Sequence, residues 1–403
     1  MYIHSKKICT PAGCVEGFMQ VEQGKIQAIL PAGAPVEADL DVGEKRILPG
    51  IVDTHNHGTM GYGMMGGTQS GEINEAIVRG YLKGLASQGV TACLPTADFE
   101  LFPAIASVAK GEIDGARPIG IHSEGPYLNR VGEKGVDTGH PDIDMKHIEA
   151  MVEASDGMLK LFALAPELPG AEEAIRYLTG QGVRCAMAHT NMSYQEALRA
   201  FSWGITVTTH TANVMTGIHH RNMGALGACL LDDHVYNEMI CDGLHVTNEM
   251  MELMLRVKNN CFDKVMMVSD NVPMAGAPTG YYRMPGMPGA LHIDERGYCL
   301  SDTGRLCGSA LPVIRGIRNL AENMGIAMTD IIRMSSENPA RVYGAAAKGT
   351  LEAGKDADFI VIDEEYHVEK TYVEGRCVYD CEQDKEIFNP EFMKMFACEG
   401  PDK

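Results

Sequence analysis

The middle of the chain repeats one pattern: a short apolar run, a polar loop, and then a segment with helical periodicity. We predict a strand in each of the apolar runs, which read ILPGIVDTHNHG, TACLPTADF, PIGIHSEGPYL, LKLFALAPE, VRCAMAHTN, GITVTTHTANVM, EMICDGLHV and KVMMVSDN. Intervening segments such as SYQEALRAFSWG place apolar residues at i, i+3 and i+4 and end at glycine. Strands alternating with helices pair in parallel, and eight of them close into a (β/α)8 TIM barrel. A doubly wound open sheet is the alternative, although no GxGxxG fingerprint follows the first strand.

Both ends of the chain follow a different pattern, in which short alternating strands are separated by turns. Residues 13–30 place two such segments around Glu22-Gln23-Gly24. Near the other end, DADFIVID and HVEKTYVEGRCVYD predict further strands, with Glu374-Gly375 as a hairpin turn. We therefore expect a small β-sandwich domain built from residues 1–49 and 345–403, and a barrel over residues 50–344.

The charge balance narrows the range of binding partners. The 403 residues include 34 Lys+Arg and 54 Asp+Glu, a net charge of −20. Such a field repels nucleic acids and anionic membranes. No apolar run approaches the roughly 20 residues of a membrane span, and the first residues lack the apolar segment of a secretory signal. The twelve cysteines form no CxxC pair, which predicts reduced thiols in a cytoplasmic protein.

Imidazole and carboxylate side chains gather at the predicted carboxyl ends of the strands, where barrel enzymes place their active sites. His55 and His57, two residues apart on one strand, point to the same side. The other strand ends contribute Glu124, His189, His210, Asp242, His245 and Asp270. Each residue alone could be an ordinary exposed or hydrogen-bonded side chain. Their common register instead predicts a centre for a divalent transition metal, which prefers these ligands.

The sequence resembles the N-acetylglucosamine-6-phosphate deacetylases of the amidohydrolase superfamily over essentially its whole length. The matching stretches are PGIVDTHNHG, GIHSEGPYLN, AHTN, VTTHTANVM, HHRNMGALGA, MICDGLHV, MVSDN, LCGSAL, and ENPARVYG followed by GTLEAGKDADFIVID. The resemblance implies a metal-dependent hydrolase that removes the acetyl group from an N-acetylhexosamine 6-phosphate, giving the amino-sugar phosphate and acetate.

The family pattern also implies the roles of the residues at the centre. The implied metal ligands are His55, His57, Glu124, His189 and His210. Because both histidines of the first strand are present, we expect two ions bridged by the glutamate. One ion held by Glu124, His189 and His210 is the alternative. Zinc fits the set best, and iron or another divalent ion also suits it. Asp270 is expected to take a proton from the attacking water and to deliver it to the departing amine.

The resemblance further implies a phosphate site and a homodimer. The backbone amides after Asn213, beginning at Val214, are expected to bind the phosphate. Arg221, beside His220, is expected to reach the phosphate bound by the neighbouring subunit. His245 matches a family histidine that contacts the sugar.

One loop departs from the family pattern. After the strand-3 glutamate the family carries a KKGAHNP-like loop, whose histidine helps to polarise the substrate carbonyl. Here the loop reads GEKGVDTGHPDID, with Asp137 at that position and His140 three residues later. Either His140 does the same work or the pocket accepts a different acyl group or sugar.

Other functions remain open at this stage. The substrate could instead be N-acetylgalactosamine 6-phosphate, an unphosphorylated acetamido sugar or a cyclic amide. A catalytically inactive binding or scaffold protein is the non-enzymatic alternative, which the complete ligand set and Asp270 disfavour.

Overall fold

The computed structural model describes residues 1–66, 71–129, 141–258, 262–283 and 289–400, which form a mixed α/β structure. The strands are β1 (Tyr2–Thr10), β2 (Gly13–Glu22), β3 (Lys25–Pro31), β4 (Leu40–Asp41), β5 (Arg46–Pro49), β6 (Ile51–Asn56), β7 (Gly58–Thr59), β8 (Tyr62–Gly63), β9 (Val90–Pro95), β10 (Arg117–Pro118), β11 (Ile121–Glu124), β12 (Leu159–Leu164), β13 (Arg184–Met187), β14 (Ile205–Thr208), β15 (Tyr236–Ile240), β16 (Val265–Val268), β17 (Gly280–Tyr282), β18 (Leu291–Ile293), β19 (Tyr298–Leu300), β20 (Leu306–Ser309), β21 (Phe359–Ile362), β22 (Val368–Val373), β23 (Arg376–Asp380) and β24 (Ala397–Cys398). The α-helices are α1 (Gly71–Ser87), α2 (Phe102–Ala109), α3 (Met145–Ala154), α4 (Ala171–Gly180), α5 (Tyr194–Trp203), α6 (Gly224–Leu231), α7 (Asn248–Val257), α8 (Ile314–Arg318), α9 (Met328–Ile332), α10 (Asn338–Val342) and α11 (Pro390–Phe396).

Eight parallel strands are connected side by side into a closed ring of pairings. β11 to β16 pair in chain order in one sheet, and β6 pairs with β9 in another. Single parallel bridges join the two groups, from Thr96 to His122 and from Asn271 to Asn56. These are the eight strands that the sequence predicts, in the predicted order.

The ring strands consist mostly of apolar residues, which explains why they lie in the interior of the structure. Their residues are almost all buried, as expected of parallel strands that are covered on both faces. Side chains from several of these strands fill one cluster, which includes Leu94, Leu161, Ala186, Val207 and Met266. The helices between the strands pack their apolar faces against a second, larger cluster. The carboxyl ends of all eight strands therefore meet at one end of the ring.

Strands from both ends of the chain share one further sheet, in the order β23-β22-β21-β5-β1-β2-β3, with β4 beside β1. β21 runs antiparallel to β5 and places Ile360 opposite Leu48. The predicted hairpin turns are confirmed: φ is 49° and 76° at Gln23 and Gly24, and 50° and 74° at Glu374 and Gly375. Two successive positive φ values are typical of the type I′ turns that join twisted strands. This sheet has its own apolar core.

The segment after β23 does not continue in this sheet. β24 pairs with β17, where Tyr281 lies opposite Cys398. The backbone N–H of Asn389 donates to the carbonyl of Met60, 2.8 Å away. β17 to β20 form an antiparallel sheet with β24 that the sequence pattern does not predict. The end of the chain thus differs from its predicted place in the β domain, because its aromatic residues pack against this inserted sheet.

The cysteines differ in part from the expectation of reduced thiols. Cys9 and Cys14 form a disulfide with an S–S distance of 2.10 Å. They lie directly opposite each other in the β1–β2 hairpin, where cross-strand neighbours come within bonding reach. Eight of the other cysteines that the structure describes, Cys307 apart, are free thiols. Among the described residues, no helix has both the length and the apolar character needed to cross a membrane.

A buried lysine lies between α10 and β21. The Nζ of Lys348 is 2.8 Å from Asp358 Oδ2 and 3.1 Å from Asp356 Oδ2, and its side chain is only 7% exposed. The other oxygen of Asp358 accepts a hydrogen bond from the Glu374 backbone. Burial opposes the charge of Lys348, but the two carboxylates raise the pKa of the lysine above its ordinary value. This ion pair therefore holds the segment between α10 and β21, in which the Asp358 carbonyl also accepts from the Gly50 backbone N–H just before β6.

We expect Lys348→Ala to lower the free energy of unfolding by roughly 3 kcal/mol, because Asp358 would stay buried without its cation. Thermal melting and urea unfolding of the purified protein measure the effect. Lys6→Ala removes an exposed pair with Glu44 and is the control, expected to change little. Indistinguishable melting temperatures for the two variants would contradict this role of Lys348.

Candidate metal centre

Four histidines turn their Nε2 atoms toward one carboxylate, that of Glu124 at the end of β11. The Oε2 atom lies 3.0 Å from His57 Nε2 and 3.5 Å from His55 Nε2. The Oε1 atom lies 3.0 Å from His210 Nε2 and 3.3 Å from His189 Nε2. The structure therefore brings all five predicted ligands together, from four strands that are far apart in sequence.

The ligand atoms divide into two groups that share Glu124. One group is His55, His57 and Glu124, and the other is Glu124, His189 and His210. The Nε2 atoms of His55 and His57 are 3.3 Å apart, and those of His189 and His210 are 3.1 Å apart. Two ring nitrogens this close to each other need a shared proton or a bound cation between them. Two nitrogens and one carboxylate oxygen in each group suit a divalent transition metal.

The turns after the ring strands hold the site residues in an unusual backbone conformation. The φ angles are 43° at His189, 30° at His210 and 50° at Asp270. This left-handed region costs about 1 to 3 kcal/mol for a residue with a side chain and is found most often at functional sites. Backbone bonds hold the turns: the N–H of Asp270 donates to His55, and the N–H of Asn213 donates to His210. The strand ends are thus bent so that their side chains point to one place.

The electrostatics of the group favour positive charge. Burial would raise the pKa of Glu124, but the charge of His55 and hydrogen bonds from His189 and His210 hold it well below its ordinary value. Burial would likewise lower the pKa of His55, but the charges of Glu124 and Asp270 raise it well above that of free imidazole. The carboxylate therefore stays ionised and the site attracts cations.

Asp270 reaches the same group from the turn after β16. Its Oδ1 atom lies 3.5 Å from Nε2 of both His55 and His57. The preceding residue, Ser269, donates from its hydroxyl to Asp53 Oδ2 at 2.6 Å and from its backbone to Asp53 Oδ1 at 3.2 Å. These bonds join the turn to β6, which supplies His55. Asp270 is thus positioned to exchange a proton with a molecule held at the histidines.

His245 lies after β15 and is held by Asp242. Its Nδ1 atom is 2.7 Å from Asp242 Oδ2. Burial would lower the pKa of His245, but its hydrogen bond to Asp242 and the charges of Asp242 and Asp270 raise it. Burial would raise the pKa of Asp242, but His245 and two backbone N–H groups lower it. Each group therefore stabilises the charged form of the other.

Four of the other predicted site residues lie in loops that the structure describes. Asn213 and Val214 follow His210 in one turn, and the Asn213 amide donates to the His210 carbonyl at 3.2 Å. His220 and Arg221 lie in an exposed loop, where Arg221 Nε donates to His220 Nε2 at 3.1 Å. A role for this loop in phosphate binding stays a prediction. His140 and Asp137 lie outside the described residues.

One buried acid in the centre of the ring is not among the site residues predicted from the sequence. Glu238, on β15, is fully buried, with Oε2 3.2 Å from His55 Nδ1 and 3.4 Å from the His210 backbone nitrogen. The sequence does contain a signal for this residue: a glutamate lies inside an apolar strand, and a buried acid needs a polar partner. What the pattern does not give is the identity of that partner.

The chain matches the model of the Amidohydrolase family over residues 46–379. It is 32% identical to an N-acetylglucosamine-6-phosphate deacetylase from Vibrio furnissii over 370 residues, which are 89% of this chain and 90% of the relative. It is 30% identical to an N-acetylgalactosamine-6-phosphate deacetylase from Escherichia coli O157:H7 over 385 residues, 93% of this chain and 98% of the relative. A Mycobacterium smegmatis N-acetyl-D-glucosamine-6-phosphate deacetylase mutant, solved in complex with N-acetyl-D-glucosamine-6-phosphate, is similar in structure. Its TM-score is 0.81 at 26% identity, covering 94% of this chain and 99% of that chain.

We expect Asp242→Asn to lower the pKa of the His245 imidazole, because the opposing charge is removed while the burial remains. In the wild-type protein His245 keeps its proton to higher pH than free imidazole does, and the variant should lose it at lower pH. NMR titration of the ring, assigned by difference with His245→Gln, measures this shift. Asp233→Asn, at an exposed position before β15, is the control and should leave the titration unchanged. An unchanged titration in Asp242→Asn would contradict the assignment.

Proposed function

The chain belongs to the N-acetylglucosamine-6-phosphate deacetylase family of the amidohydrolases, and on this basis we propose that it hydrolyses the acetamide of an N-acetylhexosamine 6-phosphate. The favoured substrate is N-acetylglucosamine 6-phosphate, and the products are the amino-sugar phosphate and acetate. The observation that carries the proposal is the shared carboxylate. Glu124 lies within 3.5 Å of all four imidazole Nε2 atoms, with Asp270 beside two of them.

We also propose that the ring of eight strands is a (β/α)8 barrel over residues 50–344. The terminal strands, residues 1–49 and about 345–380, would form the small second domain, which was predicted as a β-sandwich. The closed order of pairings and the separate apolar cores support this division.

The donor set fits one or two divalent ions, and zinc suits it best. His55, His57 and Glu124 would hold one ion, and Glu124, His189 and His210 the other. When bound, such an ion polarises the amide carbonyl and makes water more acidic. The protein side chains fix the positions of these ligands before the substrate arrives, because the strands that carry them are paired to one another.

Asp270 supplies the proton transfer that amide hydrolysis needs. Its carboxylate takes a proton from the attacking water as the new C–O bond forms at the carbonyl carbon. It then gives that proton to the amide nitrogen as the C–N bond breaks, so that the nitrogen leaves as a neutral amine. Placement within 3.5 Å of the His55 and His57 nitrogens supports this role.

The phosphate needs a local positive charge in a protein of net charge −20. We propose that the backbone amides that begin at Val214 and the side chain of Arg221, with His220 beside it, supply this contact. Arg221 would act across the interface of a homodimer. Its exposure in a loop fits contact with a neighbouring molecule. A cytoplasmic location completes the proposal, supported by buried thiols such as Cys93, Cys185 and Cys229, with the Cys9–Cys14 disulfide as the exception.

N-Acetylgalactosamine 6-phosphate is the second candidate substrate. The observation that favours it is the 30% identity to a deacetylase of that name, over 98% of the relative's length. The two sugars differ only in the configuration of one hydroxyl group, so the same metal centre and Asp270 would serve both.

We expect Asp270→Asn to lose deacetylase activity by several orders of magnitude, while the fold and the bound metal are retained. The reason is that an amide side chain cannot carry the proton from water to the leaving amine. Acetate release, metal content and circular dichroism are the measurements. Asp233→Asn is the control and should keep full activity. Near-wild-type turnover in Asp270→Asn would rule out the proposed role.

A panel of acetamido sugars tests the substrate. We expect kcat/KM to be highest for N-acetylglucosamine 6-phosphate, lower for its galacto epimer and far lower for the unphosphorylated sugars and a hydantoin. Arg221→Ala should raise KM chiefly for the phosphorylated sugars, because only these lose an ionic contact. An equal effect on unphosphorylated sugars would remove the phosphate role of Arg221. Hydrolysis of the cyclic amide alone would overturn the proposed function.

A further inference from the structure

A buried glutamate lies behind the first histidine of the metal centre, His55 on β6. Glu238 lies on β15, and its side chain is fully buried inside the ring. Its Oε2 atom lies 3.2 Å from Nδ1 of His55, while Nε2 of the same ring faces Glu124 and Asp270. The imidazole of His55 is thus held between a carboxylate on one side and the ligand group on the other.

We propose that Glu238 is a positioning residue that makes His55, His57 and Glu124 a full metal site, so that the chain binds two divalent ions. The inference rests on the proposed function, because it concerns the same metal centre. The sequence leaves open whether the centre holds one ion or two. We infer that the Glu238 carboxylate decides between these two arrangements.

The geometry fixes which nitrogen of His55 can bind a metal. A ring that donates its Nδ1 proton to a carboxylate has its lone pair on Nε2, which points to the ligand group. The ring is also packed edge-on against His122, with centroids 4.7 Å apart and planes at 85°. His122 is itself fixed by Thr96 Oγ1, 3.0 Å from its Nδ1. His55 therefore has one orientation and one available donor.

The two halves of the centre differ in this respect. Within the described part of the chain, Nδ1 of His210 is buried without a hydrogen-bond partner. Nδ1 of His55 instead faces an ionisable carboxylate. A carboxylate behind a ligand histidine makes the imidazole a stronger donor and raises metal affinity, commonly by 10- to 100-fold. The charge of Glu238 therefore acts mainly on the His55 half.

Charge balance points to the same conclusion. Two divalent ions carry four positive charges, whereas the five ligands include one carboxylate, Glu124. Asp270 and Glu238 add two negative charges in contact with the histidines. A fully buried carboxylate is costly unless a positive charge is close by. An ion bound at Nε2 of His55 would supply that charge.

Zinc titration of protein stripped with a chelator tests this role. We expect the wild-type chain to bind two ions, measured by calorimetry and by elemental analysis after gel filtration. Glu238→Gln keeps the size and an acceptor oxygen but loses the charge, so its second ion should bind at least tenfold more weakly. Asn237→Ala is the matched control, since Asn237 is buried on the same strand and contacts Thr208 and Cys229 instead of a ligand. It should lose stability and still bind two ions.

The outcomes separate this inference from the proposed function. Equal affinity for both ions in Glu238→Gln, or an equal weakening of both, would overturn the role assigned to Glu238. So would a wild-type chain that binds a single ion and still deacetylates its substrate. A wild-type chain that binds no ion would overturn the proposed function instead. If Glu238→Gln does not fold, Glu238→Asp, which withdraws the charge from His55 by one methylene group, takes its place with the same expectation.

Discussion

The arrangement at the centre of the molecule depends on one buried carboxylate. Glu124 is enclosed by the Nε2 atoms of four imidazoles, two on each of its oxygens. An ionised carboxylate at such a place is stable only when positive charge surrounds it. The other side chains at the site therefore have to arrive at fixed distances, and a ring of paired strands is what provides that precision. The chemistry follows from this one electrostatic requirement.

The ring provides the precision at a local cost. His189, His210 and Asp270 all adopt left-handed backbone conformations at the ends of their strands. Each conformation is unfavourable by itself, and it persists because the strands on both sides are held by the pairings of the ring. The pairing of the strands thus offsets the conformational free energy of the left-handed turns. These turns direct the side chains towards the centre of the ring.

The inserted sheet and the terminal sheet lie outside the ring and affect the site indirectly. The inserted sheet of β17 to β20 and the end of the chain pack together beside the loop after β6. The N–H of Met60 donates to Ala275, and that of Gly61 donates to Pro273. These bonds hold the loop that follows His57. In the described part of the chain the terminal sheet contributes none of the candidate ligands, and it is joined to the ring where β5 pairs with β21 and leads into β6. Both units stabilise the positions of strands whose ends carry the chemistry.

The sequence by itself determined the eight ring strands, the two hairpin turns and the gathering of imidazoles and carboxylates at the strand ends, because each depends on local patterns and on the common end of parallel strands. The choice of five of these side chains as expected metal ligands came from the resemblance to a known family. It could not give the inserted sheet, whose strands are three or four residues long and too short for a clear alternation. The disulfide of Cys9 and Cys14 was also not predictable from the spacing of the cysteines, because it depends on the register of the β1–β2 hairpin. Only the tertiary structure decided that Glu238, 183 positions from His55 along the chain, lies against its ring. A contact between distant strands is fixed by how the ring closes, and no local pattern records it.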